Sequence, residues 1–178
     1  MIEWGVIMEL ELKFKCHKIN QLRSKILAKG FTFVSKRHII DTYFIINKKT
    51  DEERDYLRIR EDKHKNSVSI DYHKVKSLLE TEEHEITVDD KIQAEKILEG
   101  LGCTLLCIID KIRETYSKDG IKLVLDDVKK LGRFVEIEME GEMSDDNSTR
   151  LENISRELGL KEDQRVTKKG YPDLFIEA

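Results

Sequence analysis

Five short stretches of this 178-residue sequence place ionisable side chains at alternate positions. Three are acidic, Glu9/Glu11, Glu83/Glu85 and Glu136/Glu138, and two are basic, Arg58/Arg60 and Lys111/Arg113. In an extended chain residues two apart share a face, so each pair projects the same way from its strand. Clustered carboxylates are the hard oxygen donors that Mg2+ or Mn2+ prefers, and Lys and Arg donate charge-assisted hydrogen bonds to phosphate oxygens. A triphosphate with its metal is the ligand that satisfies both sets.

The elements that must position these residues alternate between period two and period 3.6. Glu9 to Cys16 is a strand, with Glu9, Glu11, Lys13 and Lys15 on one face and Leu10, Leu12 and Phe14 on the other. Ile19, Leu22, Ile26 and Leu27 fit a helix stopped at Gly30, and Phe31 to Asn47 reads as one long strand or two short ones. Strands follow at Leu57 to Arg60, Ser67 to Val75 and Glu83 to Val88, then a helix from about Asp90 to Leu101 stopped near Gly102. Leu105 to Tyr116 and Ile121 to Leu125 flank an Asp119-Gly120 hairpin signal. Phe134 to Glu140 is a further strand, Asp145 to Leu158 a helix ending at Gly159, and Tyr171-Pro172-Asp173-Leu174-Phe175 a turn into a short helix.

A quasi-repeat underlies this order. A Glu-x-Glu strand leads through a helix to Gly30, Gly102 or Gly159, and a tyrosine follows 12 to 14 residues later, at Tyr43, Tyr116 and Tyr171. The simplest closed solution is an α+β fold, an antiparallel barrel of about eight strands flanked by helices. The ordinary reading of alternating strands puts the polar face in water. Here the polar faces are almost purely ionisable and sort by strand into acids and bases, which favours the reverse. Leu10, Leu12, Leu57, Ile59, Ile112, Val135 and Ile137 then face the helices, and the charges face a water-filled, ion-filled interior, because unpaired charges cannot be buried dry.

Composition narrows the classes. Charged residues are 38% of the chain against roughly 25% in an average soluble protein, yet the net charge is only −4, which argues against a generic polyanion-coating protein. Basic positions alternate with acids and stacking aromatics are sparse, which disfavours nucleic acid as a partner. No membrane-length apolar run or signal segment occurs, and Cys16, Cys103 and Cys107 show no metal or disulfide spacing, so a cytoplasmic protein is expected. With one proline and no linker, residues 1–178 read as a single domain, in which Met8 is an alternative start and residues 1–7 an extension. His84 falls on the face opposite Glu83 and Glu85, and His17, His38, His64 and His73 have no ligand spacing.

Glu9-Leu10-Glu11-Leu12-Lys13 resembles the Glu-x-Glu-x-Lys signature of the CYTH superfamily, the triphosphate tunnel metalloenzymes. Asp41-Thr42-Tyr43-Phe44, Leu57-Arg58-Ile59-Arg60, Lys111 to Tyr116, Leu125-Asp126 and Leu131 to Glu138 agree with it in order. The last resembles the CyaB-like class IV adenylyl cyclase branch. The resemblance implies an eight-stranded triphosphate tunnel and an enzyme dependent on Mg2+ or Mn2+. Glu9, Glu11, Asp126, Glu136 and Glu138 would coordinate metal directly or through water, and Glu83 and Glu85 would complete an acidic wall. Lys13, Arg58, Arg60, Lys111 and Arg113 would grip phosphates, with either Lys74 or Lys76 supplying a further lysine from the fourth strand. The chain departs from the family at Tyr72-His73-Lys74-Val75, where Tyr-Lys-Gly-Pro is common, and at Thr81, where arginine is common.

The expected partner is therefore a small-molecule triphosphate: ATP, converted to cyclic AMP and pyrophosphate, or inorganic triphosphate, thiamine triphosphate or a nucleoside triphosphate, hydrolysed by a triphosphatase. A non-catalytic polyphosphate or nucleotide sensor is the remaining alternative, and a homodimer stays open.

Overall fold

The computed structural model describes residues 7–46, 56–75, 80–167 and 170–178. Nine strands and four α-helices follow in the order β1 (Ile7–Lys15), α1 (Ile19–Ala28), β2 (Thr32–Ile45), β3 (Tyr56–Asp62), β4 (Ser67–Val75) and β5 (Glu80–Val88). Next come α2 (Lys91–Gly100), β6 (Thr104–Lys118), β7 (Ile121–Val128), β8 (Gly132–Glu140), α3 (Asp145–Leu158), the two-residue β9 (Arg165–Val166) and α4 (Tyr171–Glu177). All strand pairs are antiparallel in the order β5-β4-β3-β2-β6-β7-β8-β1, and β1 pairs again with β5. That last pairing closes an eight-stranded barrel. β9 adds to the half of β1 that β5 leaves free, at Lys13 and Phe14.

Local chemistry sets the boundaries. Asp119 and Gly120 both take positive φ, 49° and 77°, the conformation a two-residue hairpin requires, so β6 and β7 turn tightly there. Asp90 caps α2 by accepting from the Gln93 N–H, and Ser144 caps α3 through the Asn147 N–H. Gly159 ends α3 at φ 76°, where an added Cβ would meet Lys25 Nζ at 2.8 Å. The segment after Gly30 is one long strand, bulged near Val34.

The apolar core lies outside the barrel, between sheet and helices. Leu10, Leu12, Leu123, Leu125, Val135 and Ile137 pack against Leu22 and Ile26 of α1 and Leu151 and Leu158 of α3. A second layer, with Phe44 and Ile59 at its centre, lies under Ala94 and Leu98 of α2. The helical jacket is incomplete, which corrects one expectation: Ile112 is 37% exposed, and Ile108 is exposed beside it on the uncovered outer face of β6. The quasi-repeat also breaks in its third unit. Tyr43 and Tyr116 lie on long strands, whereas Tyr171 starts a helix, because only two strand residues follow α3.

Truncating Leu123 to Ala removes a side chain buried between barrel and helices, and should lower unfolding free energy by about 2–5 kcal/mol in urea titrations. Ile112→Ala should shift it by less than about 1 kcal/mol. Equal losses at both positions would contradict a one-sided jacket.

Candidate active site

Strand register brings ionisable side chains face to face along the inner wall, most of them opposite in charge and two pairs alike. β1 and β8 set Glu11 opposite Glu138 and Lys13 opposite Glu136. β6 and β7 set Arg113 opposite Asp126, β2 and β3 set Asp41 opposite Arg60, and β3 and β4 set Arg58 opposite Asp71. β4 and β5 set His73 opposite Glu83 and Asp71 opposite Glu85.

The cations are held, not loose. Asp41, fully buried, accepts from Arg60 Nε and Nη2 at 2.7 and 3.0 Å and pairs with Lys111 Nζ at 3.1 Å. Asp71 accepts from Arg58 Nε at 2.7 Å. Asp126 binds Arg113 through both oxygens, at 2.9 and 2.6 Å, and Glu136 takes a further bond from the same guanidinium. Lys13 Nζ bridges Glu11 at 2.8 Å and Glu136 at 3.2 Å. Burial pushes the Asp41 carboxyl up, but Arg60, Lys111 and Arg58 outweigh it and hold the group well below the usual carboxylate range. Glu136 is likewise depressed, since Arg113 and Lys13 outweigh its burial.

The remaining acids are crowded. Glu11, Glu136 and Glu138 each offer a carboxylate oxygen, all within 4.8 Å of one another. Burial, reinforced by Glu9, raises Glu138 well above its ordinary value, and burial with Glu136 raises Glu11. Glu9 is pushed up to about 8 by burial and by its neighbours Glu83 and Glu11. Carboxylates that repel one another in a partly dehydrated space hold protons unless a cation replaces them. An all-oxygen donor set of this kind fits a hard divalent ion such as Mg2+ or Mn2+.

One end of the barrel is not ionic. Tyr171, the first residue of α4, is buried against Phe134, in a cluster with Ile109, Val128 and Tyr43. Its hydroxyl donates to Asp126 at 2.9 Å, and the Lys13 and Lys111 ammonium groups lie 4.6 and 4.9 Å from its ring centre. Expecting a wholly charged interior therefore needs correction, because α4 brings apolar surface that the inner faces of β6, β7 and β8 must cover.

Glu9, Glu11, Lys13, Arg58, Arg60, Glu83, Lys111, Arg113, Asp126, Glu136 and Glu138 all project from the inner faces of their strands. Glu85 shares that face but is exposed. Asp126 is not among the carboxylates that lie within 4.8 Å of one another, and its oxygens bind Arg113 and Tyr171. Lys74 lies on the outer face with Tyr72, opposite in parity to Asp71 and His73, so the fourth strand sends a histidine inward there instead of a lysine. Lys76 lies outside the described residues. His84 stacks on Tyr72 outside the barrel and pairs with Glu82. Inner-face residues that the alternation argument passed over are Asp41, Asp71, His73 and Arg37, which pairs with Asp62 at 3.2 Å. Each stands two positions along a strand from a residue already singled out or in register with one, the signal that could have found it.

The CYTH domain family profile matches residues 8–169. The chain belongs to the CYTH family. The Methanocaldococcus jannaschii protein named "Putative adenylate cyclase MJ0240" is 31% identical over 173 residues, which cover 94% of this CYTH chain and 98% of that relative. The Pyrococcus horikoshii protein PH1012 superposes with a TM-score of 0.84 at 26% identity, covering 93% of this chain and 98% of the other. The Hippeastrum protein HpAC1, described with a dominant triphosphatase activity, shares the fold at a TM-score of 0.64 and 19% identity, over 86% of this chain and 88% of that one.

The two kinds of carboxylate give opposite pH dependences. With Glu9 raised from 4.5 to about 8, the folded CYTH barrel binds more protons than the unfolded chain between those values, so stability falls as pH rises through them. Asp41 and Glu83 are lowered, Glu83 to about 2 because the His73 contact and the Arg58 and Arg60 charges outweigh burial; their contribution is lost as pH falls towards 2. The melting temperature of metal-free protein should therefore peak in mildly acid buffer and decline towards about pH 8, with added Mg2+ raising it more at the alkaline end. Scanning calorimetry across pH, with and without metal, checks both slopes.

Proposed function

We propose that this CYTH protein is a divalent-metal-dependent enzyme that holds a triphosphate on the inner wall of its barrel and catalyses attack at phosphorus. Conversion of ATP to cyclic AMP and pyrophosphate is the first reading. The observation that carries the proposal is the Glu11, Glu136 and Glu138 trio facing a wall of fixed cations in one closed barrel.

In this reading Glu11, Glu136 and Glu138 hold the metal, with Glu9 beside them. The bound ion would neutralise charge on the phosphate oxygens and on the leaving group. Arg58, Arg60, Lys111, Arg113 and Lys13 grip the phosphates, and the carboxylates of Asp41, Asp71 and Asp126 aim those cations before substrate arrives. Such preorganisation matters because donors already in place need no rearrangement as charge develops. Glu83 and Glu85 form the acidic wall on β5. Asp126, expected among the metal ligands, is assigned a positioning role through Arg113 and Tyr171.

Identity of 31% with the Methanocaldococcus protein supports the cyclase reading. A second reading, hydrolysis of inorganic or thiamine triphosphate, draws support from the inner wall itself, whose side chains between β1 and β8 address phosphate and metal more than a nucleobase. Either reaction suits the cytoplasm, in keeping with three free, buried thiols at Cys16, Cys103 and Cys107.

Product analysis on ATP, inorganic triphosphate and thiamine triphosphate with Mg2+ and Mn2+ separates the two: cyclic AMP with pyrophosphate marks the cyclase, and orthophosphate the hydrolase. Glu136→Ala should abolish turnover with either metal while the barrel still folds, and full activity in that variant would overturn the assignment. Arg58→Lys should weaken triphosphate binding, read by calorimetry, by about tenfold or more, because a point charge cannot replace a guanidinium fork held by Asp71.

A further inference from the structure

His73 is the only histidine among the described residues that lies on the inner wall. Its Nδ1 is 2.9 Å from Glu83 Oε1, and its Nε2 is buried with no hydrogen-bond partner. Glu83, held down to about 2, is ionised and can only accept, so Nδ1 carries the hydrogen. The imidazole is held below its ordinary value by burial first and by the Arg58 charge second, against the opposing pull of Glu83 and Asp71. It is therefore neutral near pH 7, and Nε2 presents a bare lone pair. A buried acceptor without a donor is destabilising, and an ionised phosphate oxygen, itself an acceptor, cannot relieve it. A donor hydrogen relieves it, and the hydroxyl of an attacking water or sugar carries one.

We propose that His73, oriented by Glu83, is the proton acceptor for the hydroxyl that attacks the bound triphosphate. The assignment rests on the phosphorus chemistry proposed above. Arg58 and His73 are diagonal neighbours on β3 and β4, since Tyr56 pairs with His73 and Arg58 with Asp71, so a phosphate seated on Arg58 would lie on the same stretch of inner wall as the imidazole. The attacking oxygen, of water or of a sugar hydroxyl, gives its proton to Nε2 as its electron pair forms the new bond to phosphorus. The bond from phosphorus to the leaving phosphate oxygen breaks, and that oxygen keeps the pair. Glu83 stabilises the imidazolium that results, and the proton leaves to the product phosphate or to solvent. The groups that face His73 are Tyr56 and Arg58 on β3, Asp71 on its own strand, and Glu83 on β5.

The test uses the full chain. The 15N imidazole spectrum of the wild-type protein should show His73 as the Nδ1–H tautomer with Nε2 unprotonated at about pH 7. His73→Gln, which can still donate to Glu83, should lower kcat by about 10²–10⁴-fold and remove the acid limb of the kcat/KM profile, with affinity for inorganic triphosphate nearly unchanged. His84→Gln, on the outer face, should leave the rate unaltered. A protonated imidazole at neutral pH, or a His73→Gln variant that keeps its kcat or loses binding in proportion, would overturn the role of His73 while triphosphate turnover by the wild type stands. Absence of any turnover by the wild type would instead overturn the phosphorus chemistry, and the base assignment with it. Cyclic product or orthophosphate identifies which hydroxyl attacks.

Discussion

Charge buried without a partner is the most expensive thing a small fold can contain, and this one carries its charge on the inside. Desolvating one ion costs several kcal/mol even after relaxation, so the inner wall is stable only because almost every cation there is met by a carboxylate on the same or a nearby strand. Asp41 serves Arg60 and Lys111, Asp71 serves Arg58, and Asp126 with Glu136 serves Arg113. Antiparallel pairing makes this economical, since a single register choice between two strands aligns all their facing side chains at once.

Pairing is uneven around the wall, and the unevenness supports function. The sector formed by β2, β3, β6 and β7 has more base than acid, with Arg37, Arg58, Arg60, Lys111 and Arg113 set against Asp41, Asp62 and Asp126. The sector formed by β1, β5 and β8 has more acid than base, and Glu9, Glu11 and Glu138 are consequently pushed towards protonation. A cation and a polyanion arriving together would correct both sectors, the metal on the acid-rich side and the phosphates on the side where guanidinium groups are already aimed. Site and fold thus share one electrostatic problem, and α4 limits it by closing one end with Tyr171 and apolar side chains.

The inversion has a cost on the outside. Because helices cover only part of the barrel, Ile108 and Ile112 stay exposed on the long β6, while His38 and Asp110 pair across the same outer face at 2.7 Å. Three packing problems are solved separately in one small chain: an outer layer under α1 and α3, a second under α2, and an inner plug under α4.

Local pattern alone determined a good deal. Alternation identified the strands, Asp119-Gly120 the hairpin, Gly30, Gly102 and Gly159 the helix ends, and the segregation of acids from bases the inward face of each strand, because all of these depend on residues a few positions apart. Only the tertiary structure decided which charge meets which: that Asp126 is spent on Arg113 and Tyr171, that His73 and not Lys74 looks inward from β4, and that the third tyrosine of the repeat starts a helix instead of ending a strand. Those outcomes rest on register between strands distant in sequence and on where α4 docks. One-residue shifts in either would exchange the faces while leaving the pattern of the sequence unchanged.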